Sequence, residues 1–307
     1  MKIFKNINGP LLIIVAATLW ALDGVIRRNL YSLPPITIIF FEHIIGLAIL
    51  LPFVIKSLKI EKPNKREMWL LLLIAVLSGL LGTLWFTTAL LKVHFISFSV
   101  VFLIQKLQPI FAISTASIFL KEKLDKRYIK WAVLALIGAF FVTFPNGKVN
   151  LSTGEGTVIA ALYALGAAFA WGSSTTFSKM VLTKLSYKVS TFYRFLFTSI
   201  IAFVIIMVLG YSPSLSTPTM PQLGLFLVIA LSTGLVALMI YYRGLSKTSV
   251  HVSTILELMF PLIAIIIDMT IYDTTLSLSQ YLATCVLLIS IYKISKLKSD
   301  DIRLQTN

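Results

Sequence analysis

Apolar stretches of roughly 20 residues follow one another almost without interruption along this chain, and about 20 residues is the length at which an α-helix crosses the hydrocarbon core of a bilayer. Ten such segments can be read, at about 10–30, 36–56, 68–91, 95–120, 127–145, 157–180, 188–210, 221–244, 249–271 and 276–294. A backbone in lipid must satisfy its own N–H and C=O groups, so segments of this kind are helices. Connections are short, and the longest, such as GYSPSLSTPTMPQ, cannot form a domain. Charged residues make up 13% of the chain, against about a quarter in soluble domains. Together these features predict an all-α membrane protein with ten transmembrane helices and exclude a soluble enzyme.

The net charge of +15 would suit a nucleic-acid partner if it were clustered, but it alternates. Of the 27 Lys and Arg residues, 21 fall at one set of segment ends, among them Lys56, Lys65, Lys121, Lys130, Lys184, Arg243 and Lys293. The opposite ends hold 4: Arg27, Arg28, Lys92 and Lys148. Retention of basic residues on the cytoplasmic side places both termini in the cytoplasm of a bacterial-type inner membrane, with the lipid bilayer as partner and no nucleic acid. Lys106 and Arg194 are left inside the membrane. Cys285 is alone, which rules out an internal disulfide. The first segment has the Lys2 and Lys5 flank of a signal peptide but no A-x-A site, and it has a counterpart later in the chain, so it reads as a mature helix.

That counterpart belongs to an internal repeat, offset by about 152 residues. AATLWALDGVIRRNL (16–30) matches AAFAWGSSTTFSKMV (167–181), pairing Trp20 with Trp171. FFEHIIG (40–46) matches FYRFLFT (192–198), pairing Glu42 with Arg194. LIQKLQPIFAI (103–113) matches ILELMFPLIAI (255–265), pairing Gln105 with Glu257 and Pro109 with Pro261. Residues 1–147 and 148–307 each hold five segments, and an odd number puts the two copies in opposite orientations. Inverted repeats are a transporter architecture with the substrate site near the midplane.

With LW in the first segment, its AW counterpart in the sixth and a polar–x3–Pro–apolar pattern in the fourth and ninth, the chain resembles the EamA group of the drug/metabolite transporter superfamily over roughly residues 10–295. The resemblance implies a ten-helix secondary transporter of small molecules, often outward. It also implies a central cavity lined mainly by segments 1, 3, 4, 6, 8 and 9. Here the fourth segment ends LKEKLD, with Glu122, and the ninth ends IYDTTL, with Asp273. Neither acid is assigned a role.

Ionisable residues inside a span cost free energy unless paired or wetted, and so mark candidate sites. Lys106 lies near the middle of the fourth segment, between Gln105 and a proline that leaves the Gln105 carbonyl without its helical donor. Pro261 does the same to the Glu257 carbonyl. Lys106 is expected either to line an aqueous pathway or to pair with Glu257 or Glu42. Asp23 and Arg27 can meet at i, i+4, with Arg27 and Arg28 snorkelling to the outer interface. The candidate substrate-binding residues are Lys106, Gln105, Glu257, Trp20, Asp23, Trp171, Trp85 and Tyr241. Proton coupling falls to Glu257, Asp23 or Glu42, while Pro109, Pro261, Arg194 and Glu42 read as structural. His43 could titrate or donate a buried hydrogen bond, and His94 and His251 lie near segment ends. Gly79, Gly82 and LGAAFAWGSS (165–174) read as close helix packing.

No G-x-x-x-x-G-K-[ST] loop, H-E-x-x-H or C-x-x-C motif is present, so an ATP-driven pump, a metal site and a cofactor are not expected. The reading is a secondary transporter of a small polar metabolite, with export favoured by the resemblance. The mixture of Lys106 with Asp23 and Glu257 suits a zwitterion such as an amino acid. A membrane-embedded enzyme or a channel is the alternative.

Overall fold

The computed structural model describes residues 8–92, 100–105, 107–149, 157–271 and 275–296, which hold no β-strand. Lys106, His94 and Asp273 lie outside the described residues. The helices are α1 (Gly9–Arg27), α2 (Pro35–Ile60), α3 (Lys65–Ile74), α4 (Thr83–Lys92), α5 (Val100–Gln105), α6 (Gln108–Phe119) and α7 (Lys126–Thr143). They continue with α8 (Thr157–Leu182), α9 (Tyr187–Val208), α10 (Met220–Leu231), α11 (Leu235–Leu245), α12 (Val250–Leu256), α13 (Met259–Ile271) and α14 (Leu278–Lys296).

Starts are encoded locally. Asn64 and Glu67 form a capping box on α3, and Thr219 and Gln222 form another on α10, each satisfying two backbone donors that a helix leaves open. Pro35 begins α2, where its missing N–H costs nothing. Asp125 caps α7 and Ser186 caps α9.

Eight helical stretches are long and apolar enough to cross a membrane among the described residues: Gly9–Arg27, Pro35–Ile60, Lys65–Ala89, Val158–Leu182, Tyr187–Val208, Met220–Leu245, Val250–Ile267 and Leu278–Lys296. Two of the ten expected segments differ. The fourth is split into α5 and the short α6, because Pro109 cannot extend a continuous helix. The fifth, α7, carries Lys126, Arg127 and Lys130 within its first turns. Phe53, Trp69, Leu162, Val204 and Leu282 are exposed on the outside of the bundle, as a lipid-facing surface requires.

Four spans are irregular at mid-length. Between α3 and α4 the residues Ala75–Gly82 form a π-helix. Between α10 and α11 the chain breaks at Ser232–Gly234, where the Gly234 N–H reaches back to the Ile229 carbonyl at 2.7 Å. Around the two prolines, Leu107 and Leu258 make tighter bonds to Ile104 and Ile255, at 2.9 and 3.1 Å. One expectation is corrected here. The Glu257 carbonyl is not left free by Pro261, because the Phe260 N–H takes it at 3.0 Å.

Packing pairs α7 with α14 and α2 with α9, each pair joining equivalent segments of the two halves. α1 packs on α11 and α13, and α8 packs on α4 and α6, which is the same pair of contacts with the halves exchanged. These contacts bring the irregular parts of the fourth, eighth and ninth segments against α1 and α8.

Candidate functional site

Pro109 and Pro261 interrupt their helices just where the polar residues lie, so those side chains project toward each other across the bundle. Gln105 Nε2 donates to Gln108 Oε1 at 2.9 Å, and Gln108 Nε2 donates to Glu257 Oε2 at 3.2 Å. The other Glu257 oxygen accepts from the Tyr241 hydroxyl of α11 at 2.6 Å. The Trp20 ring of α1 lies 5.0 Å from that of Tyr241, tilted by 52°. Thr175 of α8 places its hydroxyl 3.5 Å from that of Tyr241. Five spans therefore converge on one polar cluster with an aromatic wall. Gln105 Oε1 is buried with no hydrogen-bond partner among the described residues, a condition that costs about 1–3 kcal/mol.

A second cluster joins α1, α2 and the Ser232–Gly234 break. Arg27 Nε donates to Asp23 Oδ2 at 2.6 Å and Arg27 Nη1 to Glu42 Oε2 at 3.0 Å. The Thr233 hydroxyl donates to the remaining Asp23 oxygen at 2.5 Å. The Arg27 side chain is 12% exposed, so it turns inward to two acids rather than snorkelling to the interface, contrary to expectation. The reason is its pairing: two carboxylates within reach offset the loss of hydration. Each Asp23 oxygen thereby accepts a hydrogen bond from within the protein.

The other sequence candidates pack. The Trp171 ring lodges against Gly82 and donates Nε1–H to the Ser78 carbonyl of the π-helix at 3.2 Å. Trp85 lies on Gly166 of α8, where a Cβ would come within 2.8 Å of the ring. Arg194 donates to the Tyr242 hydroxyl at 3.0 Å, and Ser178 bonds the same oxygen at 3.1 Å. His43 Nδ1 lies 2.8 Å from the Ile39 carbonyl, with its ring against Phe195. The structure thus gathers Trp20, Gln105, Tyr241 and Glu257, and keeps Trp85 and Trp171 in helix interlocks.

Several participants are absent from the sequence candidates. Gln108 and Thr233 supply links in the two clusters; Gln108 was legible as the i+3 neighbour of Gln105, whereas nothing local marks Thr233. Glu122, to which the sequence reading gave no role, caps α12. It accepts from the Val250 N–H at 3.0 Å, the His251 N–H at 3.3 Å and His251 Nδ1 at 2.6 Å. Burial alone would raise the Glu122 pKa, but the His251 ring and the two backbone N–H groups outweigh it and hold the carboxyl below the usual carboxylate range. Tyr128 completes this corner by donating to the His251 carbonyl at 2.7 Å. No group of three or more His, Cys, Asp or Glu side chains that could hold a metal occurs among the described residues.

The sequence profile of the EamA-like transporter family matches residues 7–144 and again residues 158–296. The chain belongs to the EamA-like transporter family. It is an integral membrane transporter of small molecules and not an enzyme. It is 37% identical over 302 residues to the riboflavin transporter ImpX of Fusobacterium nucleatum, covering 95% of this chain and 99% of that one. It is 22% identical over 307 residues to an uncharacterized transporter of Clostridium kluyveri, covering 98% and 97%. A solved crystal structure superposes with a TM-score of 0.73 at 13% identity, covering 94% of this chain and 97% of that one. That likeness supports the fold of this EamA-like chain.

Proposed function

We propose that this EamA-like protein carries riboflavin across the cytoplasmic membrane by alternating access. The observation that carries the proposal is the 37% identity, over nearly the full length of both chains, to a riboflavin transporter. The Gln105–Gln108–Glu257 cluster supports it, because amides and a carboxylate beside the Trp20–Tyr241 wall suit a flat, hydrogen-bonding ring system. Of the two acids that the amino-acid alternative offers to a substrate amine, Asp23 is engaged by Arg27 and Thr233.

Within this proposal the chain has ten transmembrane helices, in two inverted five-helix repeats at 1–147 and 148–307. The family profile matches once in each half, and the helix contacts are preserved when the halves are exchanged. Both termini face the cytoplasm, by the 21 to 4 asymmetry of basic residues. Substrate binds near Trp20, Gln105, Tyr241 and Glu257, with Lys106 beside Gln105 in sequence.

The test is counterflow in proteoliposomes preloaded with unlabelled riboflavin and challenged with trace labelled riboflavin, an assay that reads a carrier in either direction. Transient accumulation of label is expected. Accumulation no greater than in protein-free liposomes refutes the proposal.

A further inference from the structure

We infer that Gln105 reads the imide edge of the flavin ring, and that Gln108 and Glu257 are positioning residues that hold its amide in the orientation needed. The inference rests on the riboflavin reading above. Its basis is the polarity of the hydrogen-bond relay.

An ionised carboxylate can only accept hydrogen bonds. Glu257 accepts one on each oxygen, from the Tyr241 hydroxyl and from Gln108 Nε2. While Glu257 is ionised, Gln108 turns its NH2 group to it and points its Oε1 at Gln105, the orientation the structure has. Gln105 must answer with its own NH2 group, and this leaves Gln105 Oε1 without a partner among the described residues. An amide taken alone can sit either way round, and the network around it decides. Here the acid at one end decides for both glutamines.

Among the described residues, what remains on Gln105 is an acceptor with no partner beside the second N–H of an amide nitrogen whose one recorded bond goes to Gln108. Acceptor and donor side by side are the complement of an –NH–CO– edge, the bidentate geometry with which glutamine also reads adenine. The pyrimidine ring of a flavin carries that edge as N3–H flanked by the C2 and C4 carbonyls. The ribityl chain and the dimethylbenzene end do not. N3–H bonds Gln105 Oε1, and an adjacent carbonyl accepts from Gln105 Nε2. The ring faces are apolar and meet the aromatic wall of Trp20 and Tyr241. Among the described residues the buried Gln105 Oε1 is an open acceptor, and the flavin N3–H satisfies it.

Methylation at N3 removes the donor and leaves the rest of the flavin intact. The full-length protein in proteoliposomes is assayed by counterflow with riboflavin and with 3-methylriboflavin, as wild type, Gln105→Ala and Glu257→Gln. Wild type is expected to prefer riboflavin by about tenfold to a hundredfold, the worth of one buried hydrogen bond and the partner left unpaired. Gln105→Ala should bring the two substrates within about threefold of each other by the same reasoning. Glu257→Gln can donate as well as accept, lets the relay invert and should relax the preference too. A change in preference is not produced by mere loss of folded protein.

Equal handling of both flavins by wild type overturns the inference while leaving riboflavin transport standing. So does a preference that survives Gln105→Ala. If that variant does not fold, Gln105→Met, which keeps the length but has neither the carbonyl acceptor nor the N–H donors, takes its place under the same criterion. Absence of riboflavin counterflow by wild type overturns the riboflavin reading and this inference with it.

Discussion

Arg27→Met isolates the energetics of the cluster at the junction of α1, α2 and the Ser232–Gly234 break. The side chain is replaced by an unbranched apolar one of similar reach, so packing is largely kept and the charge is lost. Asp23 and Glu42 then remain at 19% and 11% side-chain exposure without their common cation. Removing one partner of a buried ion pair costs about 3–5 kcal/mol, mostly as the penalty on the charge left behind. At roughly 2–3 °C per kcal/mol for a chain of this size, the apparent Tm should fall by about 6–15 °C. The assay is intrinsic tryptophan fluorescence of detergent-solubilised protein at one fixed scan rate, since unfolding of such proteins is read kinetically. The triple variant Arg27→Met, Asp23→Asn, Glu42→Gln removes all three charges together. It should recover to within about 3 °C of wild type, because neutralising an entire buried cluster is far cheaper than halving it. A Tm for Arg27→Met within about 2 °C of wild type would show that the pair is solvated in the working protein. A triple variant no more stable than the single one would show that Arg27 acts through packing.

Two further outcomes test other parts of the bundle. Glu122 has a folded pKa below its unfolded value, so its contribution is present above the ordinary carboxylate range and is lost as pH falls through the depressed folded value. Apparent Tm of wild type should therefore drop more steeply than that of Glu122→Gln as pH is lowered from about 5 to about 3, and parallel curves would remove Glu122 as a cap on α12. Gly82→Leu should push Trp171 off the Ser78 carbonyl, destabilise the protein by about 1–3 kcal/mol through overpacking and shift tryptophan emission, whereas unchanged emission and Tm would place Trp171 elsewhere.

Much of the candidate site could be read from the chain. Glu257 and Gln105 stand out because they interrupt apolar runs just before a proline, and Trp20 and Tyr241 because they lie on segments expected to be central. The roles of Asp23, Arg27 and Trp171 were harder to read, for a common reason. Their i, i+4 or periodic placement says which face of a helix they occupy, while their partners sit on other spans. Arg27 looked close enough to an interface to reach water, yet Glu42, 15 residues away, captures it. Glu122 looked like an acid at a helix end, and it caps a helix that begins 128 residues later.

Hydropathy, charge alternation and the matched motifs are properties of neighbouring residues and of the solvent they prefer. From those the chain by itself determined its membrane class, its family and the positions of eight of the ten expected segments. Pairing is different, because it depends on which irregular backbone faces which. Only the packed structure brought Gln108 to Glu257, 149 residues apart, and Thr233 to Asp23, 210 residues apart. A buried polar group must find its partner within about 3 Å, and that distance exists only after the helices have docked.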